Sequence, residues 1–115
     1  MRQDPLVIED LVGPGQQRIL RLNGPLLISN LFDFQAKVRT NDAPELVLDF
    51  TNVPYVDSAG IGALVGAYIT HHKDDRKLLL VGVCQRVRHV LQVAQVEQFF
   101  QFSEIAPDSR ESAAS

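Results

Sequence analysis

Residues 56–64 read V-D-S-A-G-I-G-A-L and stand where a short apolar run gives way to a helical pattern. The run before them, L-V-L-D-F at residues 46–50, is typical of a strand that is buried on both faces. The helical pattern begins at about Ser58 and ends at about His72. Strands that alternate with helices build α/β domains, in which some strands pair in parallel. This stretch therefore predicts the strand–helix unit around which the fold is built.

The rest of the chain continues this alternation on both sides. The other predicted strands are short apolar or alternating runs, near residues 6–8, 16–22, 78–83 and 99–105. A first helix, capped by Ser29 or Asn30, carries Leu31, Phe34 and Val38 at helical spacing, and a third helix covers residues 85–97. Together these elements predict an α/β layer with some parallel strand pairing.

The length and composition of the chain fit one soluble domain. Of its 115 residues, 45% are hydrophobic, which is enough to build a core. We expect the domain to cover residues 6–105, with a flexible lead-in at 1–5 and a flexible tail at 106–115. The net charge of -3 argues against direct nucleic-acid binding, which favours a basic face.

The same totals bear on location and on metal binding. No apolar run approaches the ~20 residues needed to cross a bilayer, and M-R-Q-D-P at residues 1–5 lacks the apolar core of a signal peptide. Cys84 is the only cysteine, which fits a reducing compartment. We therefore expect a cytoplasmic protein with no membrane insertion, and we see no cluster of metal ligands.

The second helix has an unusual division of faces. One face carries a large apolar stripe predicted to pack in the core, namely Ile61, Leu64, Val65, Tyr68 and Ile69. The opposite face is built from small residues, where a solvated face normally carries charges. We predict that a partner docks there, on the residues Asp57, Ser58, Ala59, Gly60, Gly62, Ala63, Gly66 and Ala67. The alternative is that the third helix crosses this face.

Ser58 has two interpretations. Serine is a favoured N-cap, because its hydroxyl accepts a hydrogen bond from a free N–H group of the first helical turn. A phosphate on Ser58 also suits the site, because a helix N-terminus stabilises an anion. Phosphorylation adds about -1.5 to -2 charges at neutral pH, so it reverses the charge of a docking surface and leaves the fold intact.

Residues 46–64, with weaker support from L-L-L-V-G-V at residues 78–83, resemble the STAS domain of bacterial anti-sigma factor antagonists. The resemblance covers roughly residues 6–105 and implies a small mixed β-sheet with helices packed on one side. It also implies that Ser58 is phosphorylated by a serine kinase that is itself the anti-sigma factor. In this family the unphosphorylated antagonist binds the kinase and frees the sigma factor, and a phosphatase resets the phosphorylated form.

The sequence departs from the family pattern at two positions. Ala59 stands where the family often has a second Ser or Thr, so Ser58 is the single acceptor in the motif. In G-P-L-L at residues 24–27, Leu27 replaces an acid that supports kinase recognition in antagonists. G-P-L also resembles the STAS domains of SulP-type anion transporters. A module that does not switch and docks to a transporter or a larger signalling assembly therefore stays open as an alternative.

Catalysis has little support in the sequence. The nucleophile elbow G-x-S-x-G is absent, since Val56 stands two residues before Ser58. His71 and His72 lie about 20 Å from Ser58 along the same helix, and His89 lies on another helix. The phosphate-binding loop G-x-x-x-x-G-K-[ST] is also missing. We therefore predict a binding protein without enzymatic activity, cofactor or metal.

Overall fold

The apolar run at the middle of the sequence forms the central strand of a five-stranded sheet, β3 (Glu45–Asn52). The computed structural model describes residues 5–104. The remaining strands lie close to their predicted positions, as β1 (Val7–Val12), β2 (Gln17–Asn23), β4 (Lys77–Val81) and β5 (Gln101–Ser103). The strands are ordered β1-β2-β3-β4-β5 across the sheet, so chain neighbours are also spatial neighbours.

Helices link the parallel strands of this sheet. β1 pairs with β2 antiparallel, and the three other pairings are parallel. The linking helices are α1 (Leu31–Thr40) before β3, α2 (Ser58–Lys73) before β4 and α3 (Gln85–Val93) before β5. A parallel pair needs such a crossover, because the chain has to return to the same end of the sheet. The predicted mixed α/β sheet is confirmed.

The three helices pack on one face of the sheet, as predicted. The main core contains Leu48 and Phe50 of β3 together with Phe34 of α1, Leu64 of α2 and Leu91 of α3. A second, smaller cluster lies on the other face, and its buried members all come from strands: Leu11, Ile19, Val47 and Val81. The alternation of β3 residues between the two clusters explains why its sequence is apolar at consecutive positions.

Asp49 interrupts that apolar run and lies buried on the face without helices. Its carboxylate accepts hydrogen bonds from the Thr51 hydroxyl at 2.6 Å and from Arg21 Nε at 3.1 Å. Burial raises the pKa of Asp49, but the hydrogen bonds from Thr51 and Arg21 outweigh it, so its pKa lies below the ordinary 3.8. This local pairing keeps the buried charge satisfied.

Three predicted elements have wrong boundaries. β1 continues to Val12, beyond the predicted residues 6–8. The third helix ends at Val93, not near residue 97, because Gln95 adopts a left-handed conformation with φ of 62°. A short 3-10 turn, Glu97–Phe99, then leads into β5, which covers only part of the predicted residues 99–105. The flexibility predicted for residues 1–4 and 106–115 concerns positions outside the described part of the chain.

Candidate functional site

The cap of α2 is Asp57, so of the two interpretations of Ser58 the one that makes it the cap is wrong. Asp57 has an extended backbone, and its Oδ1 accepts the Gly60 N–H at 2.8 Å. Aspartate is as good an N-cap as serine, and here it lies one residue earlier, at the end of the extended loop. Ser58 is therefore the first residue of the helix proper.

Ser58 is exposed at this end of the helix. Within residues 5–104 its hydroxyl makes no hydrogen bond, so the structure does not use it for capping. The first N–H groups of an α-helix have no partners inside the helix, and the peptide dipoles add positive potential there. The hydroxyl is thus accessible to an enzyme and lies where an added anion is tolerated.

A second loop lies against this helix end. The Leu26 N–H donates to Tyr55 O at 3.1 Å, and the Asp57 N–H donates to Leu26 O at 3.2 Å, so the two segments form a short parallel bridge. Asp57 adds a side-chain link, because its Oδ2 accepts the Ile28 N–H at 3.0 Å. The G-P-L-L loop and the Ser58 segment therefore form one structural unit.

Gly60 is buried by this contact, so its predicted role on an accessible partner surface is wrong. A Cβ atom at Gly60 would lie 2.5 Å from Leu26 O and 2.7 Å from Val56 Cγ1. The absence of a side chain lets the loop approach the helix closely. Gly60 therefore serves the packing of the domain.

Ala63 and Ala67 are also part of the core, which corrects the prediction that they face a partner. They are 8% and 5% exposed, and α1 packs beside them through Phe34 and Val38. Small side chains on α2 allow this close approach of α1. The alternative of a covering helix is thus correct in kind, but the neighbour is α1, not the third helix.

The remaining small residues of α2 do reach the surface. Gly62 and Gly66 are exposed, and a Cβ atom at either position would meet nothing within 4 Å. They line a cleft of about 310 Å³ between α1 and α2, whose floor includes Ala63 and Ala67. Of the predicted docking residues, Ser58, Gly62 and Gly66 are exposed, whereas Asp57 and Ala59 are partly exposed.

The predicted core stripe of α2 is only partly correct. Leu64 is fully buried, and Ile61, Val65 and Tyr68 are half-buried against the core. Ile69 is 55% exposed, which contradicts its predicted core position. Because α1 covers the small-residue face, α2 turns Ala63 and Ala67 toward the interior and Ile69 toward the solvent.

Exposed apolar side chains that the sequence did not predict lie on the two loops that meet at the start of α2. Ile28 is 61% exposed and Tyr55 is 36% exposed, and Phe32 in the first turn of α1 is 70% exposed. The guanidinium of Arg86 lies 4.9 Å from the centre of the Tyr55 ring. Ile28 and Tyr55 stand in loops, where no periodicity marks an apolar residue as buried or exposed. The available signal was the apolar content of the G-P-L-L-I loop itself.

The far end of α2 holds two histidines in structural environments. His71 is buried, and its Nδ1 lies 2.9 Å from Ala67 O. His72 stacks on Tyr68, whose ring also stacks on Phe99 at a centroid distance of 5.5 Å. Both histidines lie at the opposite end of the helix from Ser58, so neither is placed to activate its hydroxyl.

Residues 5–104 contain no group of three or more His, Cys, Asp or Glu side chains that could hold a metal ion. Over the same residues, no helix has the length and apolar content to span a membrane.

Comparisons with known proteins agree with this architecture. An anti-sigma-B factor antagonist of Staphylococcus aureus (strain NCTC 8325 / PS 47) is 22% identical over 77 residues, covering 67% of this chain and 71% of the relative. The structure of the Bacillus cell fate determinant SpoIIAA in the phosphorylated form superposes with a TM-score of 0.67 at 17% identity, covering 85% of this chain and 92% of that one. A sulfate transporter family protein from Wolinella succinogenes gives a TM-score of 0.63 at 23% identity, over 82% of each chain.

These structural likenesses show the fold alone, because all lie below 25% identity. The family assignment rests on a family model described as the STAS domain, which matches residues 9–112. The match covers β2 to β5, all three helices and the Ser58 segment, and it extends beyond residue 105, where the predicted domain ended. The chain belongs to the STAS domain family.

Proposed function

We propose that this chain is an anti-sigma factor antagonist controlled by phosphorylation of Ser58. Unphosphorylated, it binds an anti-sigma factor serine kinase, and the sigma factor is released to direct transcription. Phosphate on Ser58 ends the binding, and a phosphatase restores it. The proposal places the chain in the cytoplasm, where sigma factors act, with no direct contact to nucleic acid.

The observation that carries this proposal is the exposed Ser58 hydroxyl at the first position of α2. Asp57 already caps the helix, so the hydroxyl has no structural task among residues 5–104. A serine at the N-cap would bond a free N–H group of the first turn, but Ser58 lies one residue past the cap and makes no such bond. The similarity to an S. aureus protein named as an anti-sigma-B factor antagonist gives independent support.

Electrostatics favour a switch that leaves the fold intact. A phosphate on Ser58 would lie close to the free N–H groups at the start of α2, which stabilise anions. It would also introduce about -1.5 to -2 charges beside the exposed apolar side chains of Ile28 and Tyr55. An apolar contact surface that gains such a charge loses affinity for its partner, because the charge has to be desolvated on binding.

The test is phosphorylation with ATP and the anti-sigma factor kinase of the same organism. Mass spectrometry of peptides should locate one phosphate on Ser58, and Ser58→Ala should abolish its incorporation. Ser29→Ala is the matched control, because Ser29 is an exposed serine in the neighbouring loop. Phosphate on another residue, or none in a reaction where the kinase modifies its own verified substrate, rejects the proposal.

A second candidate is a STAS module that docks to an anion transporter without a phosphorylation cycle. Two observations favour it: Leu27 replaces the acid of the antagonist pattern, and a sulfate transporter family protein shares the fold at 23% identity. Pull-down with the chain as bait, followed by identification of bound kinase or permease, separates the candidates. A permease that is retained equally by wild type and Ser58→Asp supports the transporter interpretation.

A further inference from the structure

The carboxylate of Asp57 joins the two segments that flank Ser58. Its Oδ1 accepts the Gly60 N–H at 2.8 Å and so caps α2. Its Oδ2 accepts the Ile28 N–H at 3.0 Å and so holds the neighbouring loop. Hydrogen bonds to a charged acceptor are stronger than those between neutral groups. One side chain therefore fixes both the helix end and the loop beside it.

Other hydrogen bonds hold the neighbouring residues of this loop, whereas Asp57 accepts the hydrogen bond from the Ile28 N–H. Leu26 is held by backbone bonds to Tyr55 and Asp57, and the Leu27 N–H donates to Asn30 Oδ1 at 2.9 Å. The Ile28 side chain is 61% exposed, so packing contributes little to its position. Its backbone N–H has Asp57 as its partner. This hydrogen bond is therefore the direct link between the Ile28 backbone and the Ser58 segment.

We propose that Asp57 is a positioning residue that holds Ile28 beside Ser58, so that one partner contacts both. The inference rests on the proposed function, and the partner is the anti-sigma factor kinase. The kinase presents an apolar socket to Ile28 and Tyr55 and a carboxylate to Arg86. Asp57 itself does not need to touch the kinase, because both its oxygens already accept hydrogen bonds within the domain.

The charge at Arg86 supports the chemistry assigned to the partner. Arg86 is exposed and lies over the Tyr55 ring, and it has no ion pair within residues 5–104. Arg88, two residues later, is by contrast occupied by Glu97 and by the Phe102 ring. An unpaired arginine beside exposed apolar side chains is typical of a residue that contributes strongly to an interface.

Asp57→Asn is the variant that tests this role. Asparagine is as good an N-cap as aspartate, so α2 keeps its cap. It can accept through only one side-chain oxygen, so one of the two N–H groups, Gly60 or Ile28, loses its acceptor. Asp42→Asn is the matched control, because it makes the same charge change at an exposed position in the loop between α1 and β3.

The first readout is backbone amide exchange measured by NMR on the free protein. In Asp57→Asn we expect the Ile28 amide to exchange about tenfold faster or more, with the Leu26 amide unchanged. The second readout is affinity for the kinase that binds the wild type. We expect Asp57→Asn to weaken binding about tenfold, and Asp42→Asn to bind as the wild type does.

A double-mutant cycle with Ile28→Ala separates positioning from direct contact. If Asp57 acts through Ile28, the double variant binds about as weakly as Ile28→Ala alone. Additive losses, or an unchanged affinity in Asp57→Asn, overturn the inference while the wild type still binds the kinase. A wild-type protein that binds no anti-sigma factor kinase overturns the proposed function and this inference with it.

Discussion

Gly60 and Gly62 stand two residues apart in α2, and the structure uses them in opposite ways. Gly60 is buried where the Leu26 carbonyl approaches the helix, whereas a Cβ atom at Gly62 would enter open space. Ala63 and Ala67 belong with Gly60 in the interior, and Gly66 belongs with Gly62 on the surface. Small residues on one helix therefore serve two purposes, and their composition alone does not show which.

The largest effect is expected where a charge is forced into the buried group. Ala63→Arg should lower the free energy of unfolding by more than about 3 kcal/mol, because Ala63 is 8% exposed and packs within the main core. Gly62→Arg, at the neighbouring exposed position, should keep or raise stability. Urea unfolding of both variants measures the difference. Equal stabilities would show that Ala63 faces solvent, as the sequence analysis predicted.

A smaller effect is expected from a single methyl group at the two glycines. Gly60→Ala should destabilise the domain by about 1–3 kcal/mol, because its Cβ would lie 2.5 Å from Leu26 O. Gly62→Ala should stabilise it by up to about 1 kcal/mol, since alanine favours a helix and meets no neighbour here. Thermal melts of Gly60→Ala and Gly62→Ala measure these two stability changes, which should have opposite signs. A stabilised Gly60→Ala would mean that the loop moves away at little cost.

The far end of α2 predicts a pH dependence. Burial lowers the pKa of His71 below 6.5, with Arg76 acting in the same direction and Ala67 O and Asp74 opposing. The unfolded chain therefore binds a proton more readily, so stability is fully present above pH 6.5 and declines as the pH falls below it. The decline should begin well before Asp49 titrates, because the pKa of that carboxyl lies below 3.8.

Unfolding in denaturant at pH 7.5 and at pH 5 tests this assignment. The difference between the two pH values should shrink in His71→Gln and persist in His72→Gln, since His72 is exposed. An unchanged difference in His71→Gln would assign the pH dependence to other groups.

Much of the fold was predictable because its signals are local. The apolar run of β3 and the apolar spacing of α1 each mark an element by its own residues. The orientation of α2 was not predictable in this way, because its small face could accept either a partner or α1. Tertiary packing decided the matter, and the apolar stripe that included Ile69 gave the wrong rotation.

Within the candidate site, the sequence motif pointed to Ser58 but not to the loop residues around it. Ser58 was identified from the motif, but Asp57 replaced it as the cap because the extended loop ends one residue earlier. Ile28 reaches the Ser58 segment through the Leu26–Val56 bridge and its own hydrogen bond to Asp57, which are contacts between distant parts of the sequence. Loop residues of this kind carry no periodic pattern, so their exposure emerges only from the folded chain.

The central claim is that Ser58 controls binding without supporting the fold. The most direct measurement is a binding titration with the anti-sigma factor kinase, alongside thermal melts, for wild type, Ser58→Ala and Ser58→Asp. We predict that the free energies of unfolding of the three proteins lie within about 0.5 kcal/mol of one another, because Asp57 provides the cap. We predict that Ser58→Ala binds as the wild type does and that Ser58→Asp loses binding. Equal binding by Ser58→Ala and Ser58→Asp would contradict the claim and leave Ser58 as an ordinary surface residue at the start of α2.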